Sequence, residues 1–240
     1  MRAATVKLWA LHLVANAAVV AGAYFWLGIG DASALQLAAT LLIGLLLVAF
    51  TVWLHGAVFT HFREPGLPLA QAFRTALRRL PLLILVAVFA AALYWALGWL
   101  LDHAYSPASN TASWLTLHLR RPVRPALILT IITWKVRVVE WWLVPALLLP
   151  LVAGIAGTPA PFARLRQLTF WIGCPVLLLL TLYVPWRLIR WVPYDRGLGL
   201  EMASFVLRWL IAWLLFVTAW FAVVALAGGR ALRPSSKLEK

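Results

Sequence analysis

Long apolar stretches separated by short polar segments dominate the chain. A helix needs ~20 mostly apolar residues to cross a hydrocarbon core of ~30 Å. Five stretches have about that length and almost no internal charge: residues 8–28, 34–55, 80–101, 168–187 and 203–228. Because a segment surrounded by lipid can satisfy its backbone polar groups only internally, each of the five is predicted to be a transmembrane helix.

A sixth apolar stretch, residues 125–157, is interrupted by three charged residues: Lys135, Arg137 and Glu140. One continuous transmembrane helix would bring these charges near the membrane centre, at a cost of ~2.5–3.5 kcal/mol each. The sequence therefore favours an interfacial segment over 124–137 and a crossing over 138–157. Pro145 and Pro150 predict a bend in that crossing.

Amphipathic segments precede two of the crossings. In residues 66–80 a helical arrangement separates a polar face from an apolar one, which consists of Leu69, Phe73, Leu77 and Leu80. Similar punctuation recurs at residues 157–166. Such segments lie in the headgroup region with their cations toward lipid phosphates. They predict a lipid-headgroup site at five arginines: Arg74, Arg78, Arg79, Arg164 and Arg166.

Together these elements predict an all-α, polytopic transmembrane helical bundle of about six spans with interfacial amphipathic elbow helices. We expect a single transmembrane domain over residues 1–229 and a cytoplasmic tail over residues 230–240. The connection over residues 102–124 is rich in Ser, Asn, Thr and Ala, and predicts only short structure.

The distribution of cations predicts the orientation in the membrane. Twelve fall on the side of both termini: Arg2, Lys7, Arg63, Arg74, Arg78, Arg79, Arg164, Arg166, Arg230, Arg233, Lys237 and Lys240. Eight fall on the other side: Arg120, Arg121, Arg124, Lys135, Arg137, Arg187, Arg190 and Arg196. Arg208 lies just inside the last span and is expected to snorkel to the interface. We therefore expect a multi-pass protein of the cell inner membrane with both termini in the cytoplasm.

Composition supports this class and argues against a nucleic-acid partner. Hydrophobic residues make up 64% of the chain and charged residues 12%, against roughly 45–50% and 25% in soluble domains. The net charge of +14 is spread between apolar stretches, whereas a nucleic-acid surface gathers its cations on one face. Cys174 is the only cysteine, which excludes an intrachain disulfide and indicates a small buried hydrophobe.

The two elbows and the segment Trp141-Trp142-Leu-Val-Pro-Ala resemble a loose group of bacterial multi-pass proteins. That group is similar to the membrane domain attached to some glycerophosphoryl diester phosphodiesterases. The resemblance covers residues 66–81, the tryptophan segment and residues 157–167. It implies an all-helical six-span fold and brings no catalytic residues, because nothing in this sequence matches the phosphodiesterase domain.

Reactive groups are sparse along the chain. Of the seven carboxylates, only Glu140 falls at membrane depth, and Arg137 three residues earlier is placed to pair with it. His103 and His118 match no zinc spacing. No nucleophile elbow, metalloprotease helix or phosphate-binding glycine loop is present. The sequence therefore favours a protein that is not an enzyme.

Two histidines form the candidate cofactor site. His12 lies near the start of the first span and His55 near the end of the second, so an antiparallel hairpin brings both imidazoles to a similar depth. Such a pair can ligate haem iron, another metal or a pigment. The competing interpretation is that His12 and Asn16 make interhelical hydrogen bonds, with no cofactor, and this one is favoured.

Small residues and tryptophans predict packing rather than chemistry. Ala15, Ala18 and Gly22 in the first span, and Gly44 in the second, permit close approach of the two helices. The fifteen tryptophans lie mostly near span ends and are interpreted as interfacial anchors.

Three functions follow from these patterns. The leading hypothesis is a non-catalytic accessory or scaffold subunit, or an assembly factor, of a larger membrane complex, with membrane lipids and other membrane subunits as partners. The second is a transporter or lipid-handling protein that uses the arginine-rich elbows. The third is an electron-transfer subunit that binds a cofactor at His12 and His55.

Overall fold

The computed structural model describes residues 3–30, 32–64, 66–191 and 197–228. The predicted tail over 230–240 and six of the counted cations, Arg2, Arg196, Arg230, Arg233, Lys237 and Lys240, lie outside these residues. The described helices are α1 Ala3–Leu27, α2 Ala34–Arg63, α3 Leu69–Arg78, α4 Leu80–Asp102, α5 Tyr105–Leu119, α6 Pro125–Val138, α7 Val144–Ile155, α8 Leu168–Leu178, α9 Val184–Arg190 and α10 Leu198–Gly228.

The predicted fold class is confirmed. The described residues contain no strand. They include six helices long and apolar enough to cross a membrane: Ala4–Leu27, Ala34–Arg63, Leu80–Asp102, Pro125–Ile155, Leu168–Arg190 and Leu198–Gly228. These six helices are consistent with a multi-pass membrane protein.

The predicted break between residues 137 and 138 is wrong. One helix continues from Pro125 to Ile155, and α6 passes into α7 through a π-helical segment, Val139–Leu143. The charges are accommodated at the surface of this helix: Arg137 is exposed and forms an ion pair with Glu140. The cost that favoured a break is therefore reduced by this pairing.

A second π-helical segment, Leu179–Tyr183, joins α8 to α9. Each of the two π segments is followed by a valine and then a proline, at Pro145 and Pro185. A proline inside a helix has no N–H for the carbonyl four residues earlier, and its ring clashes with that carbonyl. Widening the preceding turn by one residue lets the helix continue past the proline.

The connection over residues 102–124 also differs from the prediction of only short structure, because it contains the 15-residue helix α5. Ala108 and Ala112 of α5 are buried. Two of its hydroxyl groups form hydrogen bonds within the helix: Thr111 donates to the Pro107 carbonyl and Ser113 to the Ser109 carbonyl. Polar residues that suggested a loop thus bond back to the preceding turn.

The chain packs as two compact units. The first unit comprises residues up to Ile84 and from Leu149 onward, and the second comprises Leu85–Leu148. In the first unit, α10 packs against α1, α2, α8 and α9, while α3 packs against α2. In the second unit, α5 packs against α6, and Tyr94 donates to the Glu140 carbonyl at 3.0 Å. The single transmembrane domain over 1–229 stays a prediction.

Helices α1 and α2 form the antiparallel hairpin that the sequence predicted. A Cβ on Gly22 would lie 2.9 Å from Leu47, and one on Gly44 would lie 3.3 Å from the Trp26 indole. These two glycines therefore allow the close approach that was expected. Ala18, in contrast, is exposed, so its assignment to this contact is wrong.

The elbow helix α3 packs on α2 through its alanines, a contact that the sequence did not predict. Ala72 and Ala76 are fully buried, whereas Leu77 is exposed. A Cβ on Gly56 of α2 would lie 3.6 Å from the Ala76 Cβ. Trp53 closes the contact by donating its indole N–H to the Phe73 carbonyl at 2.8 Å. Leu77 is thereby left exposed, whereas the Phe73 ring packs against the Trp53 indole at 5.2 Å.

Replacing Ala76 with leucine tests this packing. The added atoms have no space between α2 and α3, so A76L is expected to lower the unfolding free energy by about 1–3 kcal/mol. The matched control is Ala70→Leu on the exposed side of the same helix, expected to stay within about 0.5 kcal/mol of the parent protein. Titration with a denaturing detergent measures both, and equal losses would refute the assigned packing face.

Candidate functional site

The structure places the two predicted histidines in direct contact. The imidazole rings of His12 on α1 and His55 on α2 have centroids 4.6 Å apart and an interplanar angle of 86°. His12 is fully buried, and Phe221 of α10 packs edge-on against it at 5.4 Å. Trp220 packs in the same manner against His55 at 5.1 Å. Three helices therefore enclose the pair.

Several buried ring nitrogens of these helices lack hydrogen-bond partners within the described part of the chain. They are Nδ1 and Nε2 of His12, Nδ1 of His55, Nδ1 of His61 and Nε1 of Trp220. Asn16 donates to the His12 backbone carbonyl, within its own helix, at 2.8 Å. The competing prediction that His12 is held by an interhelical hydrogen bond is therefore wrong. A buried polar group without a partner costs ~1–3 kcal/mol.

A haem held between His12 and His55 does not fit this arrangement. The macrocycle is a flat plate, and its two axial imidazoles stand on opposite faces of that plate. Here the edge of one imidazole meets the face of the other at 4.6 Å, so there is no slot for a plate between them. Ligation of a pigment or another cofactor by these histidines stays a prediction.

Sequence reasoning missed a third buried histidine on this hairpin, His61, which lies toward the end of α2. His61 is buried, and its Nε2 lies 3.1 Å from the Thr5 hydroxyl. The register of the hairpin predicts the contact between His61 and Thr5. When His12 pairs with His55 in an antiparallel hairpin, the residue six positions after His55 lies opposite the residue seven positions before His12. The sequence prediction did not include His61 because it ended the second span at residue 55, whereas α2 continues to Arg63.

A mostly apolar groove of about 670 Å³ adjoins the histidine pair. Its lining includes Thr5, Trp9, Phe62 and Phe221, and Trp9 reaches across it to α10 with an indole contact of 3.3 Å to the Thr218 hydroxyl. Since Phe221 both lines the groove and packs on His12, its ring forms part of the wall between the groove and the histidine pair.

The second polar site lies at the end of α7, where two arginines complete the helix terminus. Gly157 has a φ of +94°. Its N–H donates to the Gly154 carbonyl, and the Thr158 N–H donates to the Ala153 carbonyl, both at 2.8 Å. This is the bonding pattern of a Schellman cap. The cap leaves the last two carbonyls of the helix, at Ile155 and Ala156, to other donors.

Arg79 donates to the Ile155 carbonyl at 2.7 Å, and Arg63 donates to the Ala156 carbonyl at 3.3 Å. Both cations also face the negative end of the helix dipole. A side chain at Gly157 would collide with both guanidinium groups. Glycine is thus required here for its positive φ and for the space that the arginines occupy.

The five predicted headgroup arginines divide into two groups. Arg74, Arg78 and Arg166 are exposed. Arg79 is used in the α7 terminus, and Arg164 makes a contact of 3.3 Å with the Gln167 side-chain oxygen. Arg63, which the prediction did not include, joins the same terminus and pairs with Glu64 at 3.0 Å. Because its role depends on a distant carbonyl, no local pattern signalled it.

Arg208 does not reach outward as the sequence suggested. Only 9% of it is exposed, and it donates to the Ser204 and Leu188 carbonyls at 3.1 Å each. Its guanidinium lies 5.2 Å from the centre of the Trp191 ring. Arg208 therefore closes the end of α9, as the arginine pair closes the end of α7.

The remaining candidates occupy local structural roles. His103 and His118 pack on Trp99 and Trp114 within α4 and α5, each contacting the carbonyl of that tryptophan at 2.8 Å. Cys174 is fully buried, as expected. Within the described ranges, no group of three or more His, Cys, Asp or Glu side chains is arranged to hold a metal ion.

Comparisons of this chain with protein-family models, with curated proteins and with solved structures found no match.

The glycine at the α7 terminus provides a test of this site. Gly157→Ala is expected to lower the unfolding free energy by about 1–3 kcal/mol, since it strains the backbone and displaces two arginines from buried carbonyls. Gly66→Ala is the matched control, because a Cβ there meets nothing within 4 Å. Detergent-denaturant titration of both variants measures the difference; an unchanged G157A protein would contradict the assigned terminus.

Proposed function

We propose that the protein is a non-catalytic accessory or scaffold subunit, or an assembly factor, of a larger membrane complex. The observation that carries this proposal is the apolar surface of α4. Only 6% of its most apolar stretch is buried within the chain. That surface is available for packing against the helices of another membrane protein.

The side chains on α4 favour a protein partner over lipid alone. Phe89, Trp95 and Trp99 are each more than half exposed, and aromatic residues are enriched where proteins meet. The equally uncovered first half of α2 instead exposes leucines such as Leu41 and Leu45, a surface suited to acyl chains. We therefore assign the partner to α4.

The polar groups support a structural role. Arg63, Arg79 and Arg208 bond to carbonyls at helix ends, and Glu140 pairs with Arg137. The donors and acceptors used in these contacts are not available to a reacting group. We therefore propose that the chain contributes packing surface to a larger assembly.

We place the protein in the bacterial inner membrane with both termini in the cytoplasm. Outer-membrane spans are β-barrels, whereas this chain is helical. Thr5 near the start of α1 and Ala225 near the end of α10 line one groove, so both helices meet at one end of the first unit. Counted over the whole sequence, twelve cations fall on the side of the termini and eight on the other. This excess supports a cytoplasmic location of that side.

Site-specific photocrosslinking in intact cells tests the assignment of α4. A photoreactive residue at Phe89 is expected to form one discrete protein adduct, because the partner helix lies there. The control position is Leu210, which is 46% exposed on α10, a helix with 39% of its apolar stretch buried. Protein adducts at both positions, or at neither, would contradict the proposal.

A second candidate function, binding of anionic lipid, is favoured by the arginine-rich end of the first unit. Each guanidinium carries five N–H donors. Arg63 and Arg79 are held in place by the α7 carbonyls, so their remaining donors are oriented before a ligand arrives. Arg74, Arg78 and Arg166 add exposed positive charge on the two elbows. Lipid phosphates are the anions that a membrane presents to such a surface.

Neutralising the exposed arginines tests lipid binding. A cation near a membrane surface contributes ~1 kcal/mol toward an anionic lipid. The triple variant R74Q/R78Q/R166Q should therefore bind phosphatidylglycerol roughly 10–100-fold more weakly. The control triple R120Q/R121Q/R124Q removes the same charge from exposed positions outside the elbows. Native mass spectrometry with phosphatidylglycerol against phosphatidylcholine gives the affinities; an equal loss in both triples would mean a general charge effect and no site.

A further inference from the structure

Unlike the arginines at the ends of α7 and α9, His12 and His55 keep ring nitrogens that have no hydrogen-bond partner among the described residues. His12 is fully buried with both ring nitrogens unpaired, and the Nδ1 of His55 is likewise unpaired. An imidazole that is held without a partner in an apolar surrounding is under-bonded by one or two strong interactions. The two rings are in contact, so one small ligand can reach both.

Imidazole nitrogens are good ligands for late transition-metal ions. Two of them do not complete the four-coordinate shell that zinc takes, and no third histidine, cysteine or carboxylate joins them among the described residues. A site with two nitrogen ligands suits a d10 ion that is stable at low coordination number. Copper(I) is the biological ion of that kind, and silver(I) is its redox-inert analogue.

The charge of the surroundings also favours a monovalent ion. The groups that pack on the pair are the rings of Phe221 and Trp220, and neither is anionic. The cost of burying an ion rises steeply with its charge, and no carboxylate of the described residues joins the two histidines to offset it. Aromatic faces attract a cation weakly, which is enough to assist a single charge.

We propose that His12 and His55 form a two-coordinate site for a monovalent d10 metal ion, with copper(I) as the expected ligand and Phe221 and Trp220 as its aromatic enclosure. The inference does not depend on the proposed subunit role, since a scaffold and a lipid-binding protein can each carry such a site. It requires no redox step, because the ion binds and leaves in the same oxidation state.

The geometry requires the pair to open and one ring to turn. With metal–nitrogen bonds of about 2 Å, two imidazoles on one ion have ring centroids on the order of 5–6 Å apart, and each ring directs an in-plane nitrogen at the ion. At present the centroids are 4.6 Å apart and one ring presents its face to the edge of the other. Binding therefore needs an added separation of about 1 Å and a rotation of that ring that turns a nitrogen toward the ion. The groove behind Phe221 provides an approach to the pair once that ring turns.

Titration of the purified full-length protein with copper(I), under anaerobic conditions and against a chromophoric copper(I) chelator, tests the site. The wild-type chain is expected to retain one equivalent. His12→Leu and His12→Met differ by little more than a thioether, which is itself a copper(I) ligand. We expect H12L and H55L to lose retention and H12M to keep it, whereas His118→Gln, a change at an exposed histidine, leaves retention unchanged.

Loss of folding does not account for that pattern. Leucine at position 12 removes two unpaired buried nitrogens, so H12L is expected to be at least as stable as the parent chain; a detergent-denaturant titration checks this. X-ray absorption at the copper edge should show a two-coordinate shell with imidazole scattering. Equal retention by H12L and wild type, loss in H12M matching that in H12L, or stoichiometric retention of zinc(II) at the same pair would each overturn the proposal.

Discussion

A backbone carbonyl that a helix leaves free inside an apolar environment must find another donor, since lipid offers none. Several long-range polar contacts of this protein meet that demand. Arg79 and Arg63 bond to the last carbonyls of α7, and Arg208 bonds to a carbonyl near the end of α9. Cations that look like surface features in the sequence thus determine where the helices can end and turn.

The same demand explains the irregular stretches. Pro145 and Pro185 each withdraw one N–H from a long helix, and the π-helical turns before them let the helix continue. At the end of α7, Gly157 takes up a positive φ, so that two N–H groups fold back onto earlier carbonyls while two arginines take the rest. These departures from regular α-helix are concentrated where the chain would otherwise lose backbone bonds.

The histidine pair is the exception to this pattern, because its buried ring nitrogens have no hydrogen-bond partners among the described residues. Carbonyls at helix ends have been given donors across distances of up to 93 positions in the chain, yet His12 is enclosed with neither nitrogen used. A fold that completes its backbone so carefully gains nothing in stability from an unpaired imidazole. That contrast, more than the presence of two histidines, is what directs attention to a ligand at this position.

The sequence alone determined the helical class, the six apolar crossings and the hairpin that brings His12 to His55, because hydrophobic length and helical register are local properties. Only the tertiary structure decided which face of α3 is buried, that residues 125–155 form one helix, that residues 105–119 are helical, and that His61 is buried beside Thr5. It also decided that Arg63 and Arg79 serve a helix end more than 70 positions away. The physical reason is the same in each case: the energy of a polar or apolar group depends on the neighbour it meets, and that neighbour comes from a distant part of the chain.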